Sequence, residues 1–179
     1  MMNDEDRLKI LTKVYDNQQS LISNADKKAN ISLGIQLFLM TTVFGASVIV
    51  NAPGMAQNLS CLVGALYYFL FASFLVSSII GLTLCIFVFR PRPPQEKSEQ
   101  QRQGITYFGH IRQFKNPKEY LDAINESDKG ELVKEFAFQN YSLALILHQK
   151  MKYVRASTIF LFINILLGVS LFILSMATR

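Results

Sequence analysis

Two long stretches of this chain, residues 31–89 and 156–178, carry no charged side chain. A bilayer core is about 30 Å thick and a helix rises about 1.5 Å per residue, so one crossing takes about 20 apolar residues. The first stretch is long enough for two crossings, because turn-forming residues such as Pro53 and Gly54 interrupt it near its middle. We therefore expect an all-α membrane protein with three transmembrane helices, at residues 31–50, 61–89 and 156–178.

Charged residues lie almost entirely outside these predicted spans, and their distribution indicates the orientation. Residues 1–30 carry five basic and five acidic groups, residues 90–155 carry twelve and eight, and residues 51–60 carry none. Basic residues close to span ends stay on the cytoplasmic side. The N-terminus and residues 90–155 are therefore expected inside the cell, and the C-terminus outside.

The net charge of +5 does not by itself indicate a nucleic-acid partner. Basic residues such as Lys27, Lys28 and Arg155 cluster at the ends of the predicted spans, where attraction to anionic head groups accounts for them. We expect the lipid bilayer to be a partner and nucleic acid not to be one.

Two segments outside the spans predict long helices that continue into the membrane. Residues 4–30 place apolar side chains such as Leu8, Leu11 and Tyr15 at intervals of three and four. Residues 130–155 show the same spacing, and no proline or glycine separates their later turns from the last span. The residues of this predicted contact face are Leu132, Phe136, Gln139, Leu143, Ile146, Lys150 and Tyr153. Both helices would run toward the membrane and pack side by side as a cytoplasmic stalk. The expected organisation is a cytoplasmic helix (1–30), a transmembrane hairpin (31–89), a cytoplasmic linker with an aromatic segment and helices (90–155), and a third transmembrane helix (156–179).

The segment between the second and third spans changes character several times. Its prolines after Arg90 cannot continue a helix, and a polar linker follows. The aromatic run at residues 105–111 is compatible with a strand or a packed turn. Asn116 and Pro117 predict the start of a short helix that ends near Ser127, and Ser127 or Asp128 would cap the long helix.

No pattern of residues predicts catalysis, a metal site or a bound cofactor. His110 and His148 have no cysteine, carboxylate pair or serine at a spacing typical of a metal site or a catalytic triad. A glycine-rich phosphate loop is also missing from the sequence. We expect a protein that is not an enzyme.

The polar cluster Asn24-Ala25-Asp26-Lys27-Lys28-Ala29 lies where the first predicted helix meets the membrane. One interpretation is an interfacial anchor, in which the lysines reach head groups and Asp26 pairs with one of them or with Asn30. The other is a ligand site, because an anchor leaves Asn24 and Asp26 unused. The small alanines leave room for a neighbouring helix or a small ligand, so the residues alone leave both interpretations open.

Three segments carry a resemblance that extends over nearly the whole chain. They are Ala25-Asp26-Lys27-Lys28-Ala29 before the first span, Tyr107-Phe108-Gly109-His110-Ile111 after the second, and residues 136–153 before the third. Together they resemble the Pycsar effector (PycTM) family of bacterial antiphage transmembrane effectors. The resemblance implies a multi-pass protein of the bacterial inner membrane, encoded beside a pyrimidine cyclase. It also implies that infection triggers synthesis of cyclic CMP or cyclic UMP, and that sensing of this ligand impairs the membrane and causes abortive infection.

A cyclic nucleotide monoanion is recognised by basic groups, aromatic surface and hydrogen-bonding side chains. With the resemblance, these requirements predict a site made of Asn24, Asp26, Lys27, Lys28, Tyr107, Phe108, Gly109 and His110. We expect a homo-oligomer that opens a crude pore or thins the bilayer, because the predicted spans carry no charge for a selective ion path. The alternatives are an effector for a cyclic oligonucleotide signal and a membrane-anchored scaffold that recruits a cytoplasmic partner.

Overall fold

The computed structural model of the chain describes residues 3–49, 61–90, 105–106 and 111–177. Four α-helices lie in these ranges: α1 (Asp4–Ile49), α2 (Cys61–Phe89), α3 (Pro117–Glu126) and α4 (Lys129–Ala177). The described residues form no strand, so the all-α prediction is confirmed for them. Residues 105–106 form a bend, and the rest of the aromatic run, 107–110, lies outside the described residues.

The chain divides into two compact units. The first unit is Met1–Ser23 with Pro91–Gln149, and the second unit is Asn24–Arg90 with Lys150–Arg179. The long helices α1 and α4 each contribute to both units. Their continuity confirms the prediction that no break separates either juxtamembrane helix from the apolar sequence that follows it.

The short helix α3 begins as its sequence predicts. The side chain of Asn116 accepts a hydrogen bond from the backbone N–H of Glu119 at 2.8 Å, and Pro117 occupies the first helical position. Proline is suited to that position because an N–H group in the first turn has no acceptor within the helix, so no hydrogen bond is lost when proline lacks that group. The helix ends at Glu126, and Ser127 forms its C-cap.

Within the first unit, the N-terminal part of α1 packs along the N-terminal part of α4. Lys129 Nζ donates to Glu5 Oε1 at 2.8 Å, and 124 residues separate the two in the chain. Farther along both helices, the rings of Tyr15 and Phe136 meet edge to face with centroids 6.5 Å apart. The residue numbers of the contacts rise along both helices, from Glu5–Lys129 to Tyr15–Phe136, so α1 and α4 are parallel, as predicted. The hydrogen bond from Lys129, reinforced by its charge, holds the pKa of Glu5 below its ordinary value.

Glu135 of α4 anchors the residues that precede the aromatic run. Its Oε2 accepts hydrogen bonds from the Ile105 N–H and from the Thr106 hydroxyl, both at 3.0 Å. On the other side, the hydroxyl of Tyr120 in α3 donates to the Ile105 carbonyl at 2.9 Å. Ile105 itself is buried. These contacts hold residues 105–106 between α3 and α4 in the first unit.

Two helices among the described residues are long and apolar enough to cross a membrane, Leu62–Phe89 and Lys129–Met176. They correspond to the predicted spans at 61–89 and 156–178. The remaining predicted span, 31–50, coincides with the second half of α1 up to Ile49, and α1 is not among the helices that meet this criterion.

The three long helices meet in the second unit at a level that we name the Gln36 level. The side chain of Gln36 in α1 lies against Gly81 of α2, with its amide over the position where a Cβ would stand. Its Nε2 also donates to the Ser157 carbonyl of α4 at 3.4 Å. Glycine at position 81 leaves room for this close approach, because a Cβ there would lie within 3.0 Å of the Gln36 amide and one of the two would have to shift.

A second contact among the same helices forms the Gly168 level. A methyl group built on Gly168 of α4 would lie 3.8 Å from Val43 of α1 and 3.9 Å from Phe74 of α2, which is ordinary packing distance. Phe44 and Phe71 add an edge-to-face contact between α1 and α2, with centroids 5.6 Å apart. The Gln36 and Gly168 levels therefore fix α1, α2 and α4 against one another at two heights.

Candidate functional site

The juxtamembrane cluster of α1 is joined to α4 by an ion pair. Lys150 Nζ donates to Asp26 Oδ1 at 2.6 Å, and the two side chains retain 17% and 35% of their exposure. A short, charge-assisted contact of this kind is roughly twice as strong as a neutral hydrogen bond. Asp26 and Lys150 therefore form the main electrostatic contact that the structure places between α1 and α4 in the second unit.

This pairing corrects the anchor interpretation, in which Asp26 would pair with Lys27, Lys28 or Asn30. Residues one or two positions apart on a helix point in different directions, so the lysines that follow Asp26 do not face its carboxylate. Lys150 reaches it instead from the neighbouring helix. The three-four spacing of α4 signalled Lys150 as a residue of the contact face, but the sequence did not identify its partner.

The alanines on either side of Asp26 are used for helix packing. Ala25 and Ala29 are fully buried and form a small core with Val88 of α2 and Val154 of α4. Tyr153 packs against this core, and its ring also lies 5.7 Å from that of Phe87, measured between centroids. The narrow face that was compatible with a helix or a small ligand is therefore occupied by two helices.

The remaining predicted ligand residues divide into two groups. Asn24, Lys27 and Lys28 are exposed on α1, so their polar groups are accessible beside the Asp26–Lys150 pair. The other group, Tyr107, Phe108, Gly109 and His110, lies outside the described residues. The predicted site thus stays a prediction, and Lys150, which that prediction did not include, lies against Asp26.

A second cluster consists of polar side chains buried in the second unit. Gln36, Ser78, Ser157 and Asn164 are almost completely buried, and none of them is charged. Ser78 of α2 follows Phe74 and precedes Gly81, while Asn164 of α4 lies between Ser157 and Gly168. Both therefore lie between the Gln36 and Gly168 levels. We name the set Gln36, Ser77, Ser78 and Asn164 the polar layer.

The polar layer is only partly satisfied by hydrogen bonds. Gln36 Nε2 donates to Ser32 Oγ and to the Ser157 carbonyl, each at 3.4 Å, which is long for such bonds. No described residue bonds to Gln36 Oε1, to the hydroxyls of Ser77 and Ser78, or to either polar atom of the Asn164 amide. In hydrocarbon, unsatisfied polar groups are costly and therefore seek one another or water.

Within the described ranges, no group of three or more histidine, cysteine or acidic side chains is arranged to hold a metal ion. The described residues offer a partly accessible ion pair with neighbouring lysines, and a neutral polar layer between apolar helices.

A comparison with protein families gives a match over almost the entire chain. The model described as the Pycsar effector protein domain (PycTM) matches residues 10–177. No curated protein and no solved structure matches the chain. The matched range includes α2, α3 and α4 in full and α1 from residue 10 onward, and it extends over both units.

Proposed function

The chain belongs to the Pycsar effector family, and we propose that it senses cyclic CMP or cyclic UMP made by a partner pyrimidine cyclase. It then impairs the membrane, so that the infected cell dies before phage can spread. Family membership makes it a membrane protein of antiphage defence that is paired with a cyclase and a cyclic nucleotide signal. The Pycsar effector domain is not a known enzyme family, and the proposed role requires no catalysis.

The Asp26–Lys150 ion pair is the observation that supports the sensing step. It connects α1 to α4 beside the exposed residues Lys27 and Lys28, and it keeps part of its own surface accessible. The phosphate of a cyclic nucleotide carries the same single charge as the Asp26 carboxylate and likewise presents two charged oxygens, and the base and ribose offer further hydrogen-bonding groups. It can therefore compete for Lys150, with Lys27 and Lys28 lowering the cost of bringing a second anion close to Asp26.

Exchange of partners at Lys150 provides a physical route to the membrane. A ligand shifts a conformational equilibrium only as far as it binds one state better than the other. A phosphate bound to Lys150 favours arrangements in which Asp26 no longer holds α1 against α4. Because α1 and α4 continue without a break to the polar layer, a shift of either helix changes which partners Gln36 and Asn164 can reach. Water entering between these side chains would satisfy them and make the bilayer leaky.

The proposed topology has three crossings, including residues 31–50, with the N-terminus inside the cell and the C-terminus outside the inner membrane. It follows from the charge distribution and from the continuity of α1 through the apolar residues up to Ile49. Reporter fusions at residues 100 and 179 should report opposite sides of the membrane. If both reporters lie on the same side of the membrane, then residues 156–178 do not form a single crossing between them, and the proposed topology is wrong.

Replacing Lys150 tests the sensing step directly. Lys150→Ala should weaken binding of cyclic CMP or cyclic UMP about 10- to 100-fold, because a hydrogen bond to a charged group contributes about 1.5–3 kcal/mol. Calorimetry on the detergent-purified chain measures binding, and propidium uptake in cells with an active cyclase measures permeability. Lys152→Ala is the matched control, since Lys152 is an exposed lysine of the same helix.

The outcomes separate the proposed function from its alternatives. Parental affinity in Lys150→Ala would move the site away from the ion pair. Binding of a cyclic oligonucleotide, but of neither cyclic mononucleotide, would make the chain an effector of a different signal. If the chain inserts correctly but no nucleotide changes membrane permeability, the result would favour the alternative function, a membrane-anchored scaffold that recruits a cytoplasmic partner.

A further inference from the structure

The first unit exposes two rows of large apolar side chains on its long helices. On α4 they are Phe138, Tyr141 and Leu145, which retain 69%, 65% and 51% of their exposure. On α1, Val14 and Leu21 retain 39% and 42%. Both rows follow the three-four spacing of a helix contact face. We name them the α4 row (Phe138, Tyr141, Leu145) and the α1 row (Val14, Asn17, Leu21).

The two rows face away from the contact between α1 and α4. Phe136 and Asn140 reach α1, and Phe138 lies midway between them in sequence. With 3.6 residues per turn, two residues correspond to a little over half a turn, so Phe138 lies on the opposite side of α4. On α1, Val14 lies one residue, or about 100°, from the Tyr15 side chain that contacts α4. One copy of the chain therefore cannot close one row onto the other.

The rows also lie at matching heights along the two parallel helices. Within the first unit, the pair Glu5–Lys129 has a spacing of 124 residues, and the contacts Leu11–Asn140 and Tyr15–Phe136 have spacings of 129 and 121 residues, on either side of the 124-residue spacing. That spacing takes each member of the α1 row to a member of the α4 row: Val14 to Phe138, Asn17 to Tyr141, and Leu21 to Leu145. Val14 and Leu21 therefore lie at the same heights along the helix axes as the apolar residues Phe138 and Leu145. The polar residue Asn17 lies at the height of Tyr141, which carries a hydroxyl group.

A second copy of this chain fits these features. Copies inserted in the membrane with one orientation are parallel, so the α1 row of one copy meets the α4 row of the next without a vertical shift. Packing of identical rows would instead bring Lys134 against Lys134 and Asn17 against Asn17. Packing of unlike rows avoids these pairs, and it brings Arg7 to the height of Glu131. Opposite charges at flanking positions are what select partners in coiled coils.

We propose that the α1 row of each copy packs on the α4 row of its neighbour, so that the effector assembles head to tail through its first unit. Because the two rows point in different directions, the contact is heterologous, and its repetition adds copies side by side in the membrane plane, forming a ring where the rotation between copies closes. Contact through the first unit couples neighbouring copies, so that nucleotide bound by one copy biases the response of the next. This inference takes one assumption from the proposed function, namely that all copies are inserted in the membrane with the same orientation.

Cysteine cross-linking in intact membranes tests the contact. The parent for this experiment carries Cys61→Ser and Cys85→Ala. One tagged copy carries Val14→Cys and a second, differently tagged copy carries Phe138→Cys; co-expression followed by mild oxidation should give a cross-linked dimer containing both tags. A matched control pair uses Ser20→Cys and Ala144→Cys, which are exposed and of equal height but lie outside the rows.

Each outcome decides the proposal. Dimers from the mixed Val14→Cys and Phe138→Cys copies, in at least fivefold excess over the control pair, support head-to-tail packing. Dimers from Phe138→Cys copies expressed alone, at equal yield, would establish packing of identical rows and overturn it. Absence of cross-links in every combination would overturn it as well, and would assign the rows to another segment of the chain or to a different protein.

A second variant reads the assembly without cysteines. Phe138→Glu places a charge in the centre of the contact and should shift the native mass in mild detergent from oligomer to monomer. Lys134→Glu reverses the sign of a charge already present beside the row and should leave the oligomer intact. Cross-linking and native mass are measured without nucleotide. A failed ring therefore leaves the nucleotide-binding experiment on Lys150 unaffected, and a failed nucleotide response leaves the cross-linking result unaffected.

Discussion

The closest helix approach in the second unit makes Gly81→Ala an informative substitution. A Cβ at position 81 would lie 2.5 Å from Gln36 Oε1, 2.9 Å from Nε2 and 3.0 Å from Cδ. Real side chains do not tolerate such distances, so either the Gln36 amide must move or α1 and α2 must separate. Gln36 is 1% exposed and has little free space into which it can move.

Opposing contributions set the expected magnitude. Overpacking a close contact costs about 1–3 kcal/mol. Displacing the amide of Gln36 also weakens two hydrogen bonds, at about 0.6 kcal/mol each inside a membrane. Alanine is a better helix former than glycine by about 0.5–1 kcal/mol, which offsets part of this cost. We expect a net loss of about 2 kcal/mol, which is about a 30-fold change in the folding equilibrium.

The assay is unfolding by sodium dodecyl sulfate in mixed micelles, followed by far-ultraviolet circular dichroism. Gly34→Ala is the matched control, because nothing lies within 4 Å of a Cβ at that position on α1. It should be neutral or slightly stabilising. In a Gln36→Ala background the cost of Gly81→Ala should largely disappear, which gives a coupling of about 2 kcal/mol between the two positions.

Two results would refute this reasoning. If Gly81→Ala unfolds at the same detergent fraction as Gly34→Ala, then Gln36 does not press on the glycine. If the cost persists unchanged in the Gln36→Ala background, then the contact is between backbones and the amide has no part in it.

Three smaller predictions concern the first unit. Asn116→Ala should destabilise the start of α3 by about 1 kcal/mol through loss of its cap, seen as about fivefold faster amide exchange in its first turn; unchanged exchange would mean that another group caps the helix. Glu135→Gln should weaken the anchor of Thr106 and speed limited proteolysis near residues 105–106, whereas proteolysis at the parental rate would assign that anchor to other contacts. Lys129 lowers the pKa of Glu5, so the ion pair stabilises the fold at pH values above the ordinary glutamate pKa of about 4.3 and loses this effect as the pH falls through the lower pKa of the folded state. The difference in thermal midpoint between the parent and Glu5→Gln should therefore shrink between about pH 6 and about pH 3. A difference that stays constant over this range would refute the pairing.

The juxtamembrane site shows what a sequence does not specify. The sequence placed Asp26 in a polar cluster and Lys150 on the contact face of another helix. Joining them required the alignment of α1 with α4, which depends on how the two helices pack over their whole length. Helix periodicity determines the direction of a side chain around its own axis but not the height of the partner helix.

The polar layer was likewise visible only as separate residues. In the sequence, Gln36, Ser77, Ser78 and Asn164 are separate polar residues within the two charge-free stretches. Which of them meet, and which remain without a partner, depends on the Gln36 and Gly168 levels. The close approach at Gly81 is also a tertiary feature, because the same glycine facing lipid would have carried no constraint.

The sequence by itself determined the helical class, the ends of α2, the cap and proline of α3, and the unbroken course of α1 and α4. These features depend on local physics: apolar run length, helix periodicity, and backbone groups that neighbouring residues satisfy. The tertiary structure alone decided the partner of Asp26, the occupant of the alanine face, the unsatisfied atoms of the polar layer and the matching heights of the two apolar rows. Each of these depends on contacts between residues more than 40 positions apart in the chain, which no local pattern encodes.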